Sequence, residues 1–185
     1  MLAQTKSAKT KSVFTAALLL AAIFAACGSP ASEEDIPYAR VDSTPRIFET
    51  SDFETVGFKV VKQYEIEGLT GATAAMHGFQ KNVGAVPLSY ELRFYNSHDD
   101  AVSIGTSFVE DSVGKDAVMV VDDMMWAGGN KQQREQLLEG GGYQAFYWDY
   151  LIFGNVIILC EGDWVEQSQK ACDQIKQSLA PTAAG

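Results

Sequence analysis

The sequence predicts an α+β domain, a two-layer sandwich in which a mainly antiparallel sheet carries two helices on one face. Three observations predict it. The segment "LSYELRFY" alternates Leu88, Tyr90, Leu92 and Phe94 with Ser89, Glu91, Arg93 and Tyr95, the period of a strand with one buried face. The segment "YQAFYWDYLIFGNVIILCEG" sets Gly154-Asn155 between two runs rich in aromatic and β-branched residues, a two-residue hairpin signal. Each of these strand runs leads through polar residues into an amphipathic stretch. Hairpins interrupted by two helices are the pattern of an α+β layer architecture. The two strand–helix units share a plan that suggests a pseudo-repeat, although their sequences match too poorly to claim duplication.

In chain order, "FKVVKQYEIEG" reads as a first strand and "TAAMHGFQ" as a second. The second leads through "KNVGAVP" into the Leu88 strand as a hairpin. Ser97 then caps a helix, with Asp99 and Asp100 in its first turn, where carboxylates oppose the positive end of the helix dipole. Ala101, Ile104, Gly105, Phe108 and Val109 make its apolar stripe, and Gly114 ends it. The insert 115–142 follows, a long connection of the kind that often carries function. Within it, Asn130 and Gln133 predict a short capped helix to Glu139, flanked by hinge-like glycines. The Gly154-Asn155 hairpin comes next. Its first strand has one face of Tyr147, Asp149 and Leu151 and another of Trp148, Tyr150 and Ile152. "DWVEQSQKACDQIKQSLAP" is the last helix, with Asp163 and Glu166 at capping-box spacing and Pro181 past its end.

The amino-terminal end reads differently. Lys6, Lys9 and Lys11 precede an apolar run from Val13 to Ala26, the n- and h-regions of an export signal. Fourteen residues of helix reach about 21 Å, short of the roughly 30 Å hydrocarbon core of a bilayer. The run ends in Phe24-Ala25-Ala26-Cys27, which resembles the processing motif of bacterial lipoproteins. That resemblance implies diacylation of the Cys27 sulfur, removal of residues 1–26, and an extracytoplasmic domain attached to a membrane through lipid. It covers the first 27 residues and implies nothing about the domain. Residues 27–53, with Pro30, Pro37 and Pro45 among serines, threonines and acids, read as a disordered tether. The single domain is then expected over 54–180, with a disordered tail at 181–185.

Loss of the leader removes three lysines and no acid. It leaves 11 basic against 24 acidic side chains, a net charge of −13 in place of −10. Such a domain repels phosphate backbones and anionic lipid surfaces, which excludes nucleic acid as a partner class.

With Cys27 lipidated, Cys160 and Cys172 remain as an even pair in an oxidising compartment. Cys160 lies about 10 Å back along a strand from Asp163, and Cys172 about 13 Å forward along a helix. A helix folded back over its strand brings the two sulfurs level, which predicts a disulfide. Two small buried thiols are the plain alternative.

No catalytic constellation stands out. His77 and His98 are the only histidines, and no nucleophile motif accompanies either. No metal-ligand spacing, phosphate loop or cofactor motif is present. Aromatics are the remaining signal. An open face bearing Trp148 and Tyr150 can stack sugars or other flat ligands, with Trp126 of the insert closing over it beside Asp122 and Asp123. These five residues are the candidate ligand site, and core packing is the competing explanation for the aromatics. The function expected is a binding or accessory module of the cell envelope. A hydrolase with an unrecognised site and a structural envelope protein are the alternatives.

Overall fold

A computed structural model describes residues 37–81, 86–129, 135–138 and 140–180. The leader, Cys27, the first part of the tether and the 181–185 tail lie outside the described residues. Among the described residues there are eight strands and four α-helices: β1 (Val41–Asp42), α1 (Thr50–Thr55), β2 (Phe58–Gln63), β3 (Ala72–Gln80), β4 (Leu88–Tyr95), α2 (His98–Asp100), α3 (Thr106–Glu110), β5 (Glu135–Leu137), β6 (Tyr143–Ala145), β7 (Tyr147–Phe153), β8 (Val156–Glu161) and α4 (Val165–Leu179). A π-helical turn, Ala101–Gly105, joins α2 to α3. Six strands form one sheet in the order β1-β7-β8-β4-β3-β2, and β5 pairs with β6 separately. All neighbours in the large sheet are antiparallel except β1 and β7, so the sheet is mixed and the class is α+β.

The central strand β8 decides how the layers stack. It is buried along nearly its whole length, as expected of a strand covered on both faces. Val156, Ile158 and Cys160 join Tyr90, Leu92 and Phe94 of β4 and meet Ala171, Cys172, Ile175 and Leu179 of α4. Ile157 and Leu159 point the other way, toward Tyr95, Tyr147, Ile152, Ala101 and Val109. The expectation of two helices on one face is therefore corrected: α4 covers one face and the α2–α3 segment the other. The cause lies in β4: one buried face would leave the alternate residues Glu91, Arg93 and Tyr95 facing outward, and they are instead fully buried. Arg93 donates to Glu91 Oε1 at 2.7 Å, to the Phe108 carbonyl at 2.9 Å and to Ser112 Oγ at 3.1 Å. These bonds satisfy a charge that burial alone would penalise heavily.

Gly105 allows that close packing. A Cβ there would lie 2.5 Å from Ile157 Cδ1 and 2.7 Å from Tyr95 Cζ. Ser97 caps α2 as its sequence indicates, accepting from the Asp100 amide at 3.1 Å. The capping box expected of Asp163 and Glu166 does not form. Trp164 is the N-cap of α4, and the Asp163 amide donates to Gln167 Oε1 at 2.8 Å.

Part of the segment expected to be a tether belongs to the domain. Phe48 and Phe53 are 2% and 0% exposed and belong to the main core. β1 aligns with Ile152 and Phe153, and the Ile152 amide donates to the Arg40 carbonyl at 2.7 Å. The domain therefore includes residues 37–53, because two phenylalanines among prolines and serines suffice to anchor the segment.

Cys160 and Cys172 form a disulfide, with Cα atoms 5.6 Å apart, binding α4 to β8. Ser168 Oγ donates to the Cys160 carbonyl at 2.6 Å and fixes the same register.

Candidate functional site

The strand β7 carries a bulge at Trp148. Tyr147 pairs with Glu161 and Asp149 with Cys160, so Trp148 is an extra residue with no opposite number on β8. A bulge shifts the side-chain alternation by one. Tyr147 consequently faces the α2–α3 side with Tyr150 and Ile152, while Asp149 turns to α4. The expected face of Tyr147, Asp149 and Leu151 is corrected for this reason. Trp148 itself is left half-buried.

The loop after α3 is docked against this bulge. Gly114, at φ +74°, donates its amide to the Tyr147 carbonyl at 3.0 Å, and a Cβ there would lie 3.5 Å from the Trp148 carbonyl. Two cavities border it. One, of about 270 Å³, is walled by Arg40, Glu110, Val113, Trp148, Tyr150 and Val165. The other, of about 290 Å³, is walled by Met119, Tyr143 and Gln144 among others. Gly114, Lys115 and Trp148 border both, so the two cavities adjoin at Trp148 and together make the Trp148 groove. Each cavity lies just below the usual size of a ligand pocket.

The charges around the groove are engaged. Arg40 binds the buried Asp149 carboxylate through Nε at 2.5 Å and Nη2 at 3.2 Å, and its guanidinium lies 5.6 Å from the Tyr150 ring centre. Gln169 Nε2 and the Tyr150 amide donate to the same carboxylate. Lys115 pairs with Asp116 at 2.5 Å. Burial, and then the nearby Glu110 carboxylate, push the Tyr150 phenol up to about 12, so it stays protonated and donates to Glu110 Oε1 at 3.4 Å. The Trp148 Nε1 donor is buried and has no hydrogen-bond partner.

Of the five candidates, Trp148 and Tyr150 border this groove, but Tyr150 is 6% exposed and packs with Ile152 in the core beneath the α2–α3 segment, so the open strand face expected of them is corrected: that face is covered. Trp126 does not border the groove. It is 3% exposed and packs in a core cluster with Tyr64, Leu69, Ala75 and Phe108, its ring 5.0 Å from the Arg93 guanidinium. Its neighbour Gly128 is a packing glycine, since a Cβ there would lie 2.4 Å from Trp126 Nε1 and 2.8 Å from the Glu65 carbonyl. Asp122 and Asp123 lie on an exposed 3₁₀ turn and border neither cavity. The helix expected from Asn130 to Glu139 is corrected too: Glu135–Leu137 is β5, paired with β6, and Gly140 and Gly141 at positive φ join the two strands. The remainder of that helix lies outside the described residues. These glycines serve a turn and a close contact, where hinges were expected.

Sequence reasoning missed Arg40, Glu110 and Val165, which come from three separate elements. The only signal was an arginine beside Tyr38 in a segment otherwise read as tether.

The histidines sit elsewhere. His77 is buried on β3, with Nδ1 3.0 Å from the Tyr147 hydroxyl, and burial holds its imidazole below the usual histidine range against the opposing pull of Glu91 and Glu161. His98 Nδ1 bonds the Gly154 carbonyl at 2.8 Å. Among the described residues there is no group of three His, Cys, Asp or Glu placed to hold a metal ion, and no helix long and apolar enough to cross a membrane.

Compared with known proteins, residues 49–181 match the model of a family described as a family of unknown function, DUF6810. No curated protein and no solved structure matches.

Proposed function

The chain belongs to the DUF6810 family, and on that premise we propose that it is a non-enzymatic binding module of the bacterial cell envelope, anchored through lipid on Cys27, with the Trp148 groove as its ligand site. The observation that carries the reading is the bulge in β7. It takes an aromatic residue, Trp148, out of strand pairing and places it between two cavities. Bulges next to binding sites commonly re-aim a side chain in this way. A hydrolase is the less favoured reading. The partners of His77 and His98 are a buried phenol and a backbone carbonyl, neither an activated nucleophile.

The anchor rests on the basic leader, the apolar run and the Ala25-Ala26-Cys27 ending. Nine residues separate Cys27 from Pro37, which holds the domain within about 35 Å of the lipid. Two tests apply. Expressed in a bacterium, Cys27→Ala should give an uncleaved precursor that takes up no labelled palmitate; normal processing and release would sink the anchor. Wild-type protein should bind a washed cell-envelope fraction saturably and Trp148→Ala should not; equal binding would remove the groove from the function.

A further inference from the structure

We propose that the groove takes an uncharged oligosaccharide, with one pyranose ring stacked on Trp148 and its neighbours extending into the two flanking cavities. This rests on the reading of the groove as the ligand site.

The ligand class follows from what lines the groove. Two cationic side chains, Arg40 and Lys115, and two anionic ones, Glu110 and Asp116, border it. Lys115 and Asp116 pair with each other, and Arg40 is held by Asp149 behind the wall. The lining therefore offers no uncompensated cation to draw an anionic ligand, and the −13 net charge expected of the processed chain opposes one at long range. A cationic ligand finds only one carboxylate not held in an ion pair, that of Glu110, and it already accepts from Tyr150. A wholly apolar ligand would cover the paired charges of the rim and the Tyr150–Glu110 hydrogen bond without new hydrogen bonds, at a cost for each.

A pyranose with equatorial hydroxyls meets all of these conditions. Its axial C–H groups present a flat, weakly positive face to the negative face of an indole. Its hydroxyls radiate in the ring plane and both donate and accept. They can therefore bridge the carboxylate and cationic groups on the rim without disturbing their pairing. The groove also has the shape for a chain of such rings. Cavities of about 270 and 290 Å³ lie to either side of the indole, and Tyr143, 64% exposed, walls the second.

The test uses the full chain in detergent micelles, titrated by calorimetry and tryptophan fluorescence with fully N-acetylated chitohexaose and cellohexaose, and with polygalacturonate as the anionic counterpart. At least one neutral hexasaccharide should bind saturably while polygalacturonate does not. Trp148→Phe keeps a smaller aromatic face and should weaken binding less than Trp148→Ala does. Trp148→Ala should weaken it by about tenfold or more, with the thermal melt confirming a folded protein. Stronger binding of polygalacturonate, or neutral binding unchanged in both variants, would overturn the proposal. If neither neutral sugar binds while Trp148-dependent binding to the envelope fraction persists, the sugar assignment fails and the groove stands. If that envelope binding is also independent of Trp148, both fail together.

Discussion

Replacing Trp126 with alanine is expected to destabilise the domain severely, which separates this residue from the tryptophan of the groove. The Trp126 side chain is nearly fully buried and meets Tyr64 edge-on, with ring centres 5.9 Å apart. Truncating a buried tryptophan costs about 3–5 kcal/mol in lost transfer energy and residual cavity. The upper part of that range applies because the ring also faces the guanidinium of Arg93, itself inaccessible to solvent. Gly68 and Gly128, which crowd the indole, are backbone neighbours that cannot extend a side chain into the space left behind. For a domain of this size the loss corresponds to a fall in Tm of about 10 °C. The assay is urea unfolding of the chain beginning after Cys27, followed by circular dichroism, with Trp148→Ala alongside. Trp148 is only half-buried, so its truncation should cost about 1–2 kcal/mol. A Trp126→Ala loss under about 0.5 kcal/mol, the scale of ordinary surface sites, would refute the argument and return Trp126 to the candidate ligand site.

Three further outcomes follow from the buried polar groups and the disulfide. Arg93→Met should destabilise by about 3–5 kcal/mol, because the Glu91 carboxylate is left buried without its cation, and the double variant with Glu91→Gln should recover part of that in a denaturation cycle. His77 has a folded pKa below its unfolded value, so its contribution is complete above about pH 6.5 and is lost as the pH falls below it. Wild type should therefore lose more stability than His77→Gln between about pH 7.5 and about pH 5.5; parallel losses would show that His77 does not titrate between folded and unfolded states. Thiol blocking of unreduced exported protein should leave Cys160 and Cys172 unmodified, and replacing both with alanine should cost about 3 kcal/mol for the short loop they close; two blocked thiols in fresh material would contradict the bond.

Local pattern determined much of this protein. The period-2 run from Leu88, the turn at Gly154-Asn155, the cap at Ser97 and the pairing of Cys160 with Cys172 are all short-range features, set by residues within about twenty positions of each other, and each was legible. The leader and its cysteine are likewise local signals, and they carry the proposed address. What tertiary structure decided depends on partners far apart in the chain. Glu91 and Arg93 look like a solvated face until the α2–α3 segment covers them, and a strand cannot encode which residues will lie above it. Residues 37–53 look like a tether until Phe48 and Phe53 find the core. Trp126 and Trp148 are equally aromatic in sequence. One is buried over Arg93 and the other is set at a groove by a bulge whose existence depends on register with β8. Register is a property of two strands at once, so the side chain that a bulge exposes is settled only when both are in place.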